Sequence, residues 1–406
     1  MSINLKNVNY MLFVVILVDF LFLFYGISTI SISSKEAYIF FDAHNFLHYL
    51  VLFFTKVFSQ NDFVLRLPFI IFHILSIFLL YKISAFYLKE EKERLLVVIL
   101  FILLPGVVSS ALIVNESSIV VFFSLLFIYL FKNEKFKLYY PLLFILLFVD
   151  NAFEILYLGV FAYAVYKNRK NLAFYSAFLF ILILFMYGFD SGGKPKGYFL
   201  DTLAMYSLVF SPLLFLYYFY TMYRILFKGK KDILWFVSFT ALILSILLSF
   251  RQRISISDFA PFAVIALPLV VKNFIDSYKV RLKEYRKFYK IAFFATFVFL
   301  VLNFLLTYFN KYLYLFLNDP NKHFARKFHI AKELAQKLKQ NHIDHIVCEN
   351  KSLCKRLYFY KISKGDEYFL SKFQKVNGLK KCKKVTISYN NRAIASYCVS
   401  KLHTLE

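Results

Sequence analysis

Between residues 10 and 309 the chain is a succession of long apolar runs separated by short polar loops. A backbone inside a bilayer has no water to pair with, so a run of about 20 mostly apolar residues, enough to cross ~30 Å of hydrocarbon as a helix, reads as a membrane span. Of 406 residues, 60% are hydrophobic and 18% charged, a balance that a water-soluble core cannot absorb. The first run lacks the small-residue cleavage site of a signal peptide and exceeds a signal h-region, so it reads as a retained span. Spans are expected near 10–32, 63–87, 95–114, 117–131, 138–149, 152–166, 172–189, 207–227, 233–250, 259–272 and 291–309. The expected fold is an all-α polytopic membrane bundle of about eleven transmembrane helices, over residues 1–316, followed by a small soluble α/β domain over 317–406.

The formal charge of +25 would suggest nucleic acid in a soluble chain, but the basic residues segregate by loop. Lys82, Lys89, Lys92 and Arg94 share one loop, Lys132, Lys135 and Lys137 the next, and Lys167, Arg169 and Lys170 another. Arg224, Lys228, Lys230 and Lys231 follow, and then a run from Lys272 to Lys290. Under the positive-inside rule these loops are cytoplasmic, as is the N-terminus, and the tail is periplasmic, as expected for a bacterial inner-membrane protein. The bilayer is thus the first partner, and nucleic-acid binding is not supported. The parity rests on 138–166, too long for one upright span and too short for two full ones. Two short helices meeting at Asp150 and Asn151 keep the flanking lysines on one side; a single tilted helix would invert everything downstream.

All four cysteines, Cys348, Cys354, Cys382 and Cys398, lie beyond the last span. An even set confined to one small soluble segment points to disulfides in an oxidising compartment, and it lacks the paired CxxC spacing of a metal site. The tail is expected to hold an amphipathic helix near 324–341, a strand near 343–347, a helix over 352–361, and two strands over 384–389 and 392–402 around Asn390 and Asn391. Four cysteines allow three pairings; a three-residue loop centred on Asn390 would set Cys382 opposite Cys398, and the short interval from Cys348 to Cys354 favours the other local pair. Such a short domain benefits from covalent staples.

The informative polar residues collect on the outward loops. Loop one, 31–62, carries Lys35, Glu36, Asp42, His44 and His48 in apolar sequence, the pattern of an interfacial amphipathic helix with acids near its start or of a plain solvated loop. Glu116 follows a break at Pro105 and Gly106 and could cap the helix that begins at Ser117. Asp150 and Glu154 sit in a strongly apolar hairpin, where an unpaired carboxylate is costly. Lys194, Lys196, Arg251 and Arg253 lie outside, against the positive-inside trend, beside Asp258; an anionic phosphate or a lipid head group accounts for them.

Ser34-Lys35-Glu36-Ala37-Tyr38 after the first span, and Asn61-Asp62-Phe63-Val64-Leu65-Arg66-Leu67-Pro68 opening the second, resemble the membrane glycosyltransferases of the C superfamily. More narrowly, they are similar to the protein O-mannosyltransferase and lipid A aminoarabinose transferase group. That family commonly reads Asp-Glu-Ala-x-Tyr in loop one and Arg-Leu-Pro near the start of the second span. The resemblance extends over about the first 270 residues, through the Pro105 helix with Glu116 and the turn from Arg251 to Pro268. It implies transfer of a sugar from a polyprenyl-phosphate donor to a glycan, lipid or protein acceptor outside the membrane. An outward carboxylate then acts as general base or as ligand to a divalent metal ion, and basic residues hold the departing phosphate. Glu36 matches the second acid of the family pair; the first is Lys35 here, so Asp42 or Glu116 would supply the missing carboxylate. Arg66, Glu154, Lys194, Lys196, Arg251 and Arg253 are the substrate-binding candidates. The alternatives are a non-catalytic relative, a polymerase or flippase of lipid-linked envelope glycans, or a structural membrane protein with a periplasmic interaction domain.

Overall fold

A computed structural model describes residues 5–188, 197–373, 382–390 and 392–401, with side chains from residue 10 onward. In chain order the helices are α1 (Leu5–Thr29), α2 (Ser34–Phe41), α3 (Phe46–Val57), α4 (Asp62–Ser84), α5 (Glu91–Leu103), α6 (Pro105–Leu112), α7 (Ser117–Lys132), α8 (Phe136–Leu146) and α9 (Phe153–Tyr166). They continue with α10 (Lys170–Tyr187), α11 (Phe199–Phe210), α12 (Pro212–Lys228), α13 (Ile233–Ser249), α14 (Ile256–Val264), α15 (Leu267–Val280) and α16 (Arg286–Tyr308). The tail adds α17 (Ala331–Gln340), β1 (His345–Cys348), α18 (Lys351–Phe359), β2 (Ser363–Lys364), β3 (Tyr368–Lys372), β4 (Lys383–Tyr389) and β5 (Arg392–Lys401).

Among the described residues 4 helices are long and apolar enough to cross a membrane, or up to 8 spans if each bent helix pair is one crossing. The bends have local causes. The expected span at 95–114 is α5 and α6, turned by 62° where Pro105 begins the second helix. The one at 207–227 is α11 and α12, turned by 107° at Pro212, and 259–272 is α14 and α15, turned by 45° just before Pro268. Proline has no N–H for the helix ladder and its ring clashes with the preceding turn, so a new helix axis starts there. Loop one likewise forms two helices, α2 and α3, at 82° to each other.

The chain separates into two compact units. The first, residues 1–21, 69–111 and 115–307, is helical. Residues 138–166 form two short helices, α8 and α9, that turn at Asp150 and Asn151, where Asp150 Oδ1 accepts from the Ala152 amide at 2.9 Å. A Cβ on Gly159 would lie 2.8 Å from the Val237 Cα, so glycine lets α9 and α13 approach backbone to backbone. Ser238 Oγ donates to the Phe262 carbonyl at 2.6 Å and ties α13 to α14.

The second unit, residues 22–68, 112–114 and 308–406, joins loop one to the tail. Its five-stranded sheet runs β2-β1-β3-β5-β4, with β1 parallel to both neighbours and the β3/β5 and β4/β5 pairs antiparallel. Leu334, Leu338, Ile346, Leu357, Ile387 and Val399 meet in a core between α17, α18 and the sheet. The helix expected near 324–341 forms only over Ala331–Gln340, after a 3₁₀ turn at Arg326–Phe328; the other expected elements are present, and β2 and β3 are additional and too short or too irregular to show a period-two pattern.

The hairpin corrects the expected register. Tyr389 faces Arg392, so the loop holds two residues, with Asn390 in the left-handed region at φ 44°. A bulge then inserts Ile394 between the pairs Ser388↔Ala393 and Ile387↔Ala395, which puts Ile394 and Ala395 both inward and sets Cys398 opposite Lys384 rather than Cys382. Cys382, at the mouth of β4, still lies 5.6 Å from Cys398 between Cα atoms, and Cys348 lies 5.7 Å from Cys354. Both local pairs therefore stand at disulfide distance.

Where the chain leaves the last span, His329 is buried, with Nδ1 3.1 Å from the Tyr314 hydroxyl and Nε2 without a partner. Burial, with Lys311 and then His323 nearby, pushes its pKa down to about 3. An unfolded chain takes up this proton near pH ~6.5 and the folded one does not, so stability falls as pH drops from there toward 3, by ~1.4 kcal/mol per unit. Amide exchange of β4 and β5 in the full-length protein at pH 7 and pH 5 should show a loss of stability, of which about 2 kcal/mol disappears in His329→Gln. An unchanged pH dependence in that variant contradicts the assignment.

Candidate functional site

In the second unit, the acid and the arginine of the two family-like motifs meet. Ser33 caps α2, accepting from the Glu36 amide at 3.2 Å, and Glu36 Oε2 accepts the Ser33 amide at 2.7 Å, which closes a capping box. Asn61 caps α4 by accepting from the amides of Phe63 and Val64, which sets Asp62 in the first turn and Arg66 one turn on. Arg66, fully buried, then forms a bidentate pair with Glu36 at 3.1 Å on each oxygen. Its other contacts are the carbonyls of Ser31 at 3.2 Å and Asp62 at 3.4 Å, and the Asp62 carboxylate at 3.6 Å.

Glu36 is thereby saturated. Oε1 takes Arg66 and the Val114 amide at 3.0 Å, and Oε2 takes Arg66 and Ser33, so all its lone-pair positions are occupied at 1% exposure. Glu36, expected as the base, and Arg66, expected as a substrate ligand, are here placed against each other. Asp42, at the C-cap of α2, pairs with Lys355 of α18.

The tail completes the network. Tyr360 donates its hydroxyl hydrogen to Asp62 Oδ1 at 2.6 Å and accepts from the Ile32 amide at 2.9 Å. Burial and then the Asp62 charge push this phenol well above its ordinary pKa, so it remains a donor. Lys332 Nζ stands 3.2 Å from Asp62 Oδ2. Arg356, buried, donates to the Ile32 carbonyl at 2.8 Å and to that of Lys327. Glu36 and Asp62 are thus matched by Arg66 and Lys332, the condition for burying charge.

The remaining candidates lie in the first unit. Glu116 stands at the N-cap of α7 without capping it; Asn115 Oδ1 accepts from the Ser117 amide at 2.9 Å. Ser117 Oγ donates to the Ser257 carbonyl at 3.1 Å, joining α7 to the start of α14. There Asp258 accepts from Ser257 Oγ at 3.1 Å and Ser255 Oγ at 3.3 Å, half-buried in the first turn. Its carboxylate lies within electrostatic range of Glu154, half-buried in the first turn of α9. Arg251 and Arg253 are exposed on the loop before α14. Lys194 and Lys196 fall outside the described residues.

Two features escaped the sequence reading. Asp19 of α1 and His73 of α4 form a buried pair at 2.8 Å, His73 stacking on Phe101 at 5.8 Å. A single acid and a single histidine, each inside an apolar run, were its available signal. Tyr360 and Arg356 gave none, since no motif marks a tail residue that reaches back to loop one. Among the described residues no group of three or more His, Cys, Asp or Glu side chains could hold a metal ion. The chain matches no protein-family model and no curated protein.

The Glu36–Arg66 pair makes a sharp stability prediction. Arg66→Met leaves Glu36 buried and unpaired, which should cost about 3 to 5 kcal/mol, whereas replacing both residues with methionine should cost less than either single change. Thermal loss of protease resistance of the tail, followed in detergent for the three variants, checks the order. A double variant weaker than both singles contradicts it.

Proposed function

We propose that the protein is a membrane glycosyltransferase that moves a sugar from a polyprenyl-phosphate donor to an envelope acceptor on the outer side of the membrane. Its chemistry rests on acids of the helical unit rather than on loop one. The observation that carries this reading is Glu154 and Asp258, two half-buried carboxylates in the first turns of α9 and α14, within electrostatic range of each other in a strongly apolar bundle. Charges in such surroundings are costly and are kept where they act. In this scheme one carboxylate takes the proton of the acceptor hydroxyl as its oxygen attacks the anomeric carbon, and the carbon–oxygen bond to the lipid phosphate breaks. The phosphate leaves with the bonding electrons, its charge met by Arg251 or Arg253. Glu116 stands as the second polar group, and Glu36 with Arg66 holds the fold. The same reading takes about eleven crossings, counting the shorter apolar helices, with a cytoplasmic N-terminus and a periplasmic tail.

One observation favours a second reading. Lys35 occupies the first position of the family acid pair and Glu36 is fully engaged, the state expected of a non-catalytic relative that only binds lipid-linked sugar.

Incubation of the purified protein with polyprenyl-phosphate sugars, together with mass spectrometry of envelope glycans in a deletion strain, separates the two. Glu154→Gln with Asp258→Asn should lower turnover by about 100-fold or more, without loss of folding. Full transfer by that folded variant removes the catalytic assignment, and donor binding without transfer by the wild type supports the binding reading.

A further inference from the structure

The second unit holds a cleft of about 520 Å³ with two chemically different walls. One wall is the last turns of α1 and the first turn of α4, where Phe24 and Phe63 meet edge to face at 5.4 Å. Both helices are long and apolar enough to span a bilayer, so this wall stands where hydrocarbon gives way to head groups. The facing wall comes from α17 and the end of α18 and presents Lys332, Lys339 and Lys361. The Asp62 carboxylate on the same lining is already taken by Lys332, Arg66 and Tyr360. Lys339 and Lys361 are exposed, and among the described residues their side chains make no hydrogen bond or ion pair. A cationic surface beside aromatic rings at the end of two spans complements one kind of molecule, an amphiphile with an anionic head.

We infer that this cleft binds the phosphate head group of an anionic membrane lipid, with its first acyl carbons against Phe24 and Phe63 and its phosphate between Lys339 and Lys361. The site is independent of whether the protein transfers a sugar, since it uses neither Glu154 nor Arg251.

Lys361 allows a clean test. It sits at φ 63° just past α18, where its amide donates to the Tyr358 carbonyl and the Ile362 amide to that of Leu357, the Schellman arrangement that favours glycine. Lys361→Gly should therefore fold at least as well as the wild type while losing the cation. Native mass spectrometry of the full-length protein with equal phosphatidylglycerol and phosphatidylcholine should show retained phosphatidylglycerol. That preference should fall about 5-fold in Lys361→Gly and again in Lys339→Gln, and should be unchanged in the control Lys351→Gln with Lys372→Gln. Millimolar glycerol phosphate should not displace the lipid. Undiminished preference in the Lys361→Gly, Lys339→Gln double variant overturns the site. Displacement by glycerol phosphate overturns the lipid as its occupant in favour of a soluble phosphate ester.

Discussion

The second unit depends on one buried ion pair. Arg66 brings a permanent charge into a place closed to bulk solvent, in the first turns of a long apolar helix, and Glu36 is the acid that makes this tolerable. Because the guanidinium is a rigid fork, matching it bidentately fixes the rotation of α2 against α4. The capping box that begins α2 uses the same carboxylate, so the start of that helix, the start of α4 and the backbone at Val114 are referred to one group. Tyr360 and Arg356 then tie the tail to Asp62 and to the amide and the carbonyl of Ile32. Cys348, at disulfide distance from Cys354, sets β1 against the first turn of α18, the helix that carries Arg356 and has Tyr360 at its C-cap.

This arrangement changes what a short motif means. The family-like acid of loop one and the Arg-Leu-Pro arginine are read separately in sequence as base and phosphate ligand, yet each answers the other's buried charge. In the helical unit Glu154 and Asp258 are half-buried carboxylates in the first turns of their helices, and Asp19 and His73 pair with each other within helices that pass the test for spans.

Much of the architecture was legible because its signals are local. Apolar runs marked the long apolar helices, the Asn390-Asn391 turn marked the β4–β5 hairpin, and cysteine spacing favoured the local pairs. What was not legible is relational. The bends at Pro105 and Pro212 were visible as residues, but nothing local says that they turn a helix by 62° or 107° rather than by a few degrees. The bulge at Ile394 follows from which two residues the core takes up, a fact of packing and not of alternation. That a tail tyrosine reaches the first turn of α4, nearly 300 residues earlier, follows from tertiary structure alone.

The central claim is that loop one and the tail form a single cooperative unit, with the Arg66 network at its centre. Native-state hydrogen exchange on the full-length protein measures this most directly, because amides that open together share one opening free energy. The account predicts a common value for α2 and for β3 and β5, and an equal drop in all three when Arg356→Met removes the donors to Ile32 and Lys327. Independent opening of α2, with the sheet still protected in the variant, would contradict it.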